Sequence, residues 1–86
     1  MHVEFKIAAT GEVPEIGIRF VVIEILGLFV AQCLEADIVA TGDTVQESIE
    51  NIEIELGNQL DEGWIGGPPA DPLFFKFYEN ANPVIN

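Results

Sequence analysis

Between His2 and Ile7 apolar and polar side chains alternate, with Val3, Phe5 and Ile7 on one side and His2, Glu4 and Lys6 on the other. That period of two predicts a half-buried strand whose solvated face carries His2. The stretch Thr10-Gly11-Glu12-Val13-Pro14-Glu15-Ile16-Gly17 holds two glycines and a proline and reads as a loop. From Ile18 to Leu26 the chain is nearly all apolar and β-branched, and a second apolar run extends from Leu28 to Leu34. Two strands joined by a tight turn at Gly27 account for both runs. A third short strand, about Asp37 to Thr41, follows the Glu35-Ala36 corner and completes an antiparallel meander.

The alternation inside the two central strands is weak. One face of the first carries Val21, Ile23 and Ile25; the other carries Phe20, Val22 and Leu26, with Glu24 among them. In the second, Leu28, Val30 and Leu34 oppose Phe29, Ala31 and Cys33. A sheet that is apolar on both faces needs two covers. The first is a helix starting at Thr44, where Thr44-Val45-Gln46-Glu47 has the capping-box pattern. In that pattern the Thr44 hydroxyl accepts from the Glu47 amide and the Glu47 carboxylate bonds back to Thr44. The stripe Val45, Ile49, Ile52, Leu56, Leu60 spans roughly 80° of the helix and faces the sheet. Glu47, Glu50 and Glu55 lie off the stripe, Glu53 lies at its margin, and Ile54 is opposite it. After a turn-rich loop around Trp64, Asp71-Pro72 resembles a cap and first helical residue. The following Leu73-Phe74-Phe75-Lys76-Phe77-Tyr78 is a short helix or a strand, and in either form a candidate second cover. The tail from Asn80 is expected to fray.

These elements add up to an α+β domain: an antiparallel three- to four-stranded sheet with one main helix on it (a β-β-β-α core), an extra N-terminal strand and a short C-terminal helix. One domain spans residues 1–86, with its core at about 18–61 and a loop and aromatic segment at 62–86. Domains this small are only marginally stable unless a staple or a neighbouring subunit assists. A single cysteine rules out an intrachain disulfide, and one Cys with one distant His falls short of a zinc set. Association as a homodimer or homotetramer is therefore expected, with Val21, Ile23, Ile25, Ile54, Phe74 and Phe77 as candidate contacts.

Charge narrows the partners. Fifteen acidic and three basic residues give a net charge of −12, whereas affinity for nucleic acid comes chiefly from Lys and Arg against phosphate. An anionic membrane surface is disfavoured on the same grounds. The apolar stretch from Phe20 to Leu34 is too short for a span and is interrupted by Glu24 and Gln32. No secretory leader is read in MHVEFKIAAT, and a cytoplasmic protein is expected. Cys33 sits in an apolar run without a neighbouring cation, as a buried and inert thiol does. Two-metal nuclease chemistry needs several converging acids, and only Glu24, Glu35 and Asp37 qualify for inspection. No nucleophile, cofactor motif or metal-ligand set accompanies them, so the chain is not expected to be an enzyme.

The segments Phe29-Val30-Ala31-Gln32-Cys33-Leu34-Glu35 and Ala40-Thr41-Gly42-Asp43-Thr44-Val45-Gln46-Glu47-Ser48-Ile49-Glu50-Asn51 resemble the HicB-like antitoxin family. The likeness runs from about Arg19 to Leu60. It implies a β-β-β-α-β core, described as a partial ribonuclease H-like fold, in a small oligomeric protein that neutralises a basic HicA-like toxin which cleaves messenger RNA. The acidic side chains of Glu47, Glu50 and Glu55 are then the candidate partner-binding groups. Two features depart from the family. Its Pro-Glu-Leu-Pro-Gly corner is replaced by Leu34-Glu35-Ala36-Asp37-Ile38, and no DNA-binding domain is read after the aromatic segment, so operator binding is not implied. If residues 71–81 are helical, the family's last strand is missing and His2 to Ile7 is expected at the open sheet edge instead. A standalone oligomeric interaction domain without a toxin partner is the alternative reading.

Overall fold

Neighbouring strands pair in chain order, so short connections build the whole sheet. A computed structural model of the chain describes residues 5–61 and 68–81. Strands β1 (Phe5–Val13), β2 (Ile18–Ile25), β3 (Leu28–Cys33) and β4 (Val39–Gly42) form one antiparallel sheet in the order β1-β2-β3-β4. Helices α1 (Val45–Asp61) and α2 (Pro72–Ala81) follow. The fold is thus α+β, and the C-terminal aromatic segment takes the helical alternative. That helix includes Asn80, which the sequence assigned to the fraying tail. His2, Val3, Glu4 and Trp64 lie outside the described residues.

The first strand is longer than its pattern suggests. Thr10, Gly11, Glu12 and Val13, expected as loop, pair with Val21, Phe20, Arg19 and Ile18. Tertiary pairing overrides the local propensity of glycine here, because a Cβ on Gly11 would lie 2.6 Å from the Phe20 ring. The ring rests on the glycine. The turn is confined to residues 14–17, closed by the Gly17 amide donating to the Val13 carbonyl at 2.9 Å. The register slips between Ile7 and Ala9, a bulge that sends the two halves of β1 to opposite faces. Ile7 packs with Ile23 and Val21, whereas Ala9 and Val13 pack with Ile18, Phe20 and Val22. Phe5, Lys6 and Ile7 sit at the sheet edge as expected, opposite Ile25, Glu24 and Ile23.

Leu26 belongs neither to β2 nor to its apolar face. It forms the β2–β3 turn with Gly27, at φ 54° and 82°, the doubly left-handed geometry of a two-residue hairpin. Its side chain is 89% exposed. A left-handed conformation costs an ordinary L-residue about 1–2 kcal/mol. Leu26→Asn is therefore expected to raise the unfolding free energy by about 0.5–1 kcal/mol. A urea melt with an unchanged midpoint would contradict this account of the turn.

Each face of the sheet has its own cover. On one side Ile52 and Leu56 of α1 pack with Ile18, Phe20, Val22, Ala31 and Cys33, flanked by Val45 and Ile49. Leu60, assigned to the same stripe, is exposed, while Ser48 is fully buried with its hydroxyl donating to the Val45 carbonyl at 2.8 Å. The stripe therefore rotates toward Ser48 at the start of the helix and ends at Leu56. On the other side Phe74, Phe75, Phe77 and Tyr78 of α2 lie against Val21, Ile23 and Leu34. Phe74 and Phe77 meet edge to face, with centroids 5.8 Å apart. The Asp71 carboxylate caps α2 by accepting from the Leu73 amide at 2.9 Å, with Pro72 opening the helix. Before α2, the Ala70 amide donates to the Leu34 carbonyl and the Asp37 amide donates to the Pro68 carbonyl. These bonds pin the approach to α2 against the corner after β3.

Candidate functional site

The cap of α1 differs from the expected box by one residue. Thr44 Oγ1 accepts from the Glu47 amide at 3.0 Å, but the Glu47 carboxylate reaches back to the amide of Asp43, not of Thr44, at 2.6 Å. Glu47 and Glu50 are exposed and Glu55 is half-buried. Glu50 accepts from Gln46 at 3.1 Å and Glu55 from Gln59 at 3.3 Å. The three proposed partner-binding carboxylates are thus spread over two turns of one helix, and among the described residues each has a neutral partner in its own helix or cap.

Cations occupy the other half of the molecule. Between Arg19 and Lys76 the sequence has no Lys or Arg, so its three cations fall on β1, β2 and α2. Lys6 lies 3.8 Å from Glu24 across the β1–β2 ladder. Arg19 is more deeply engaged. Its Nε and Nη2 approach Glu35 Oε2 at 2.7 and 2.6 Å, and its backbone amide donates to Glu35 Oε1 at 2.8 Å. The guanidinium also lies 5.5 Å from the Phe75 ring centre and 5.3 Å from that of Tyr78. Arg19 therefore clamps α2 to the start of β2 and to the corner after β3. The sequence reading missed this role. The available signal was a lone cation at the start of a largely apolar strand. Arg19→Ala is expected to destabilise the fold by about 1–2 kcal/mol, combining a partly exposed ion pair with the stacked rings. Faster amide exchange in α2 than in α1 would check that the loss is local to the clamp.

The three acids considered for metal chemistry do not converge. Glu24 faces Lys6, Glu35 holds Arg19, and Asp37 accepts from Gln32 Nε2 at 3.1 Å. Among the described residues, no group of three or more His, Cys, Asp or Glu is placed to hold a metal ion. Gln32, buried in β3, also donates to the Cys33 and Ile38 carbonyls at 3.0 and 3.4 Å and so fixes the β3–β4 corner. The Cys33 thiol is fully buried, and desolvation, reinforced by Glu35, pushes its pKa up to about 12. It stays protonated at neutral pH and is a packing group.

Val21 and Ile23, candidates for subunit contact, are buried within the chain beneath α2. Phe74 and Phe77 are half-buried in the same layer, as is Ile25. The intramolecular second cover thus takes up most of the surface that the sequence left for a neighbouring subunit. Ile54 remains, at 61% exposure on the outer face of α1.

The sheet edge opposite β1 is β4. The Cys33 amide donates to the Ile38 carbonyl at 2.9 Å, and the register pairs Gln32 with Val39 and Val30 with Thr41. Hydrogen-bonded and non-hydrogen-bonded pairs alternate along an antiparallel ladder. Val39 and Thr41 are accordingly in non-hydrogen-bonded pairs, and their N–H and C=O groups point away from β3. The Thr41 carbonyl accepts from Asn51 Nδ2 of α1 at 2.8 Å. On the face shared with α2, the helix lies over β1 and β2; Val39, at 51% exposure, and Leu28 stand beyond it on β4 and β3. No helix among the described residues is long and apolar enough to cross a membrane. Comparisons with protein-family models, curated proteins and solved structures found no match.

Proposed function

We propose that the chain is an antitoxin-type binding protein of the HicB-like kind, which neutralises a small, basic, messenger-RNA-cleaving toxin by protein–protein contact. The observation that supports this reading is the separation of charge. Every Lys and Arg lies on β1, β2 or α2, while α1 and the turn before it present Asp43, Glu47, Glu50 and Glu53 on the surface without one. Such a field accelerates encounter with a cationic partner and repels nucleic acid. A bound partner whose RNA-contacting face is covered loses access to its substrate.

Calorimetry and an RNA-cleavage assay with a basic ribonuclease encoded beside this chain test the reading together. The expected result is a complex that suppresses cleavage, weakens between about 50 and 500 mM salt, and associates several-fold more slowly after Glu47→Lys with Glu50→Lys. Cleavage that continues in the presence of excess protein would refute it. Copies of the chain associate as dimers or tetramers in this reading, and Ile54 is the contact that the fold leaves available. A monomer by light scattering at micromolar concentration would remove that part.

A further inference from the structure

We propose that the outer edge of β4 is the docking site for an extended, basic segment of a protein partner, which adds to the sheet as a fifth strand. This rests on the binding-protein reading and assigns its contact surface. Strand addition uses backbone groups for affinity and alternate side chains for specificity. Val39 and Thr41 direct their backbone groups to this edge. The Asn51 amide already gives the Thr41 carbonyl the N–H that an added strand would supply, and the added strand displaces it.

The surroundings of the edge fix the chemistry of the occupant. Asp37 and Asp43 stand just beyond the two ends of β4, both exposed. Glu47 and Glu55 lie one helical turn to either side of Asn51. Side chains of an added strand on the α1 side therefore run beside carboxylates, which favours Lys and Arg. On the opposite face they meet Val39 and Thr41 of β4, which favours apolar β-branched residues. Alternating cationic and apolar positions satisfy both faces at the period of a strand.

A second copy of this chain fits the edge poorly. Antiparallel self-pairing that joins Val39 to Thr41 of the other copy is centred on Ala40 and sets Asp37 across from Asp43 twice. Like charges opposite one another are destabilising, and each copy carries −12.

The test uses two blocked octapeptides of equal charge. One alternates Lys and Val; in the other, proline replaces two of the valines and prevents strand pairing. Calorimetry on the full chain is expected to give at least tenfold tighter binding of the alternating peptide. Thr41→Pro removes an N–H that β3 does not use, and is expected to weaken that binding tenfold or more. Val39→Lys weakens it similarly by charge and carries the test if the proline variant fails to fold by circular dichroism. Asn51→Ala is expected to leave binding intact or tighten it a few-fold. Equal binding of the two peptides overturns the proposal, as does undiminished affinity in the folded edge variants. Self-association abolished by Val39→Lys assigns the edge to a second copy and overturns it too. A toxin that binds wild type and Val39→Lys equally would leave the antitoxin-type reading standing while removing this site.

Discussion

Ile52→Ala is expected to lower the unfolding free energy by about 3–4 kcal/mol, whereas Ile54→Ala, two residues along the same helix, changes it by no more than about 0.5 kcal/mol. Ile52 is 0% exposed and packs with Phe20, Val22 and Cys33, while Ile54 is 61% exposed. Truncating Ile52 removes three carbons from water-free contact and leaves a void between two rigid layers. A domain of 86 residues has a total stability of about 4–13 kcal/mol, so the substitution removes a large share of it. Urea unfolding of both variants reads the difference directly. Comparable losses at the two sites would mean that α1 does not seat on the sheet through Ile52.

Gly42→Ala is the second large effect, at about 2–3 kcal/mol of destabilisation. A Cβ at this position would lie 2.6 Å from the Ser48 amide nitrogen and 2.9 Å from the Glu47 carbonyl carbon. Both atoms belong to the backbone of the first turn of α1 and have no rotamer through which to yield. The helix start must lift away from β4, straining the Thr44–Glu47 cap and the packing of Val45. Gly57→Ala supplies the contrast: nothing lies within 4 Å of its added Cβ, and replacing a mid-helix glycine is expected to stabilise by about 0.5–1 kcal/mol. Thermal melts of the two variants should therefore shift in opposite directions. Matching shifts would show that the closeness at residue 42 is not what positions the helix.

The parts of this fold that sequence made legible are those in which local chemistry and burial agree. Thr44 and Glu47 announce the start of α1, and Ile52 and Leu56 mark its inner face. The two-faced grease of β2 and β3 required a second cover, which the aromatic helix provides at Val21 and Ile23. Legibility ended where a residue is set by a distant partner. Gly11 looks like a loop residue until the Phe20 ring is placed on it, and Leu26 looks like a strand residue until the turn needs its left-handed backbone. Arg19 shows no role until Glu35, Phe75 and Tyr78 converge on it. At the candidate site the acids of α1 were visible from their spacing, but the outward groups of Val39 and Thr41 follow only from the alternation of the ladder. Asn51 stood out only as the end of the family-like segment, and its bonding role was not legible, since its partner is a backbone carbonyl ten residues earlier.

The bulge in β1 has a bearing on how far this sheet can grow. At that end the register break between Ile7 and Ala9, together with exposed Lys6 and Glu12, spoils the flat row of donors and acceptors on which another strand would template. Head-to-tail growth needs the β4 edge of one copy to meet the β1 edge of the next, and β1 is the guarded one. Filaments built by head-to-tail repetition of an edge contact are therefore disfavoured in this protein.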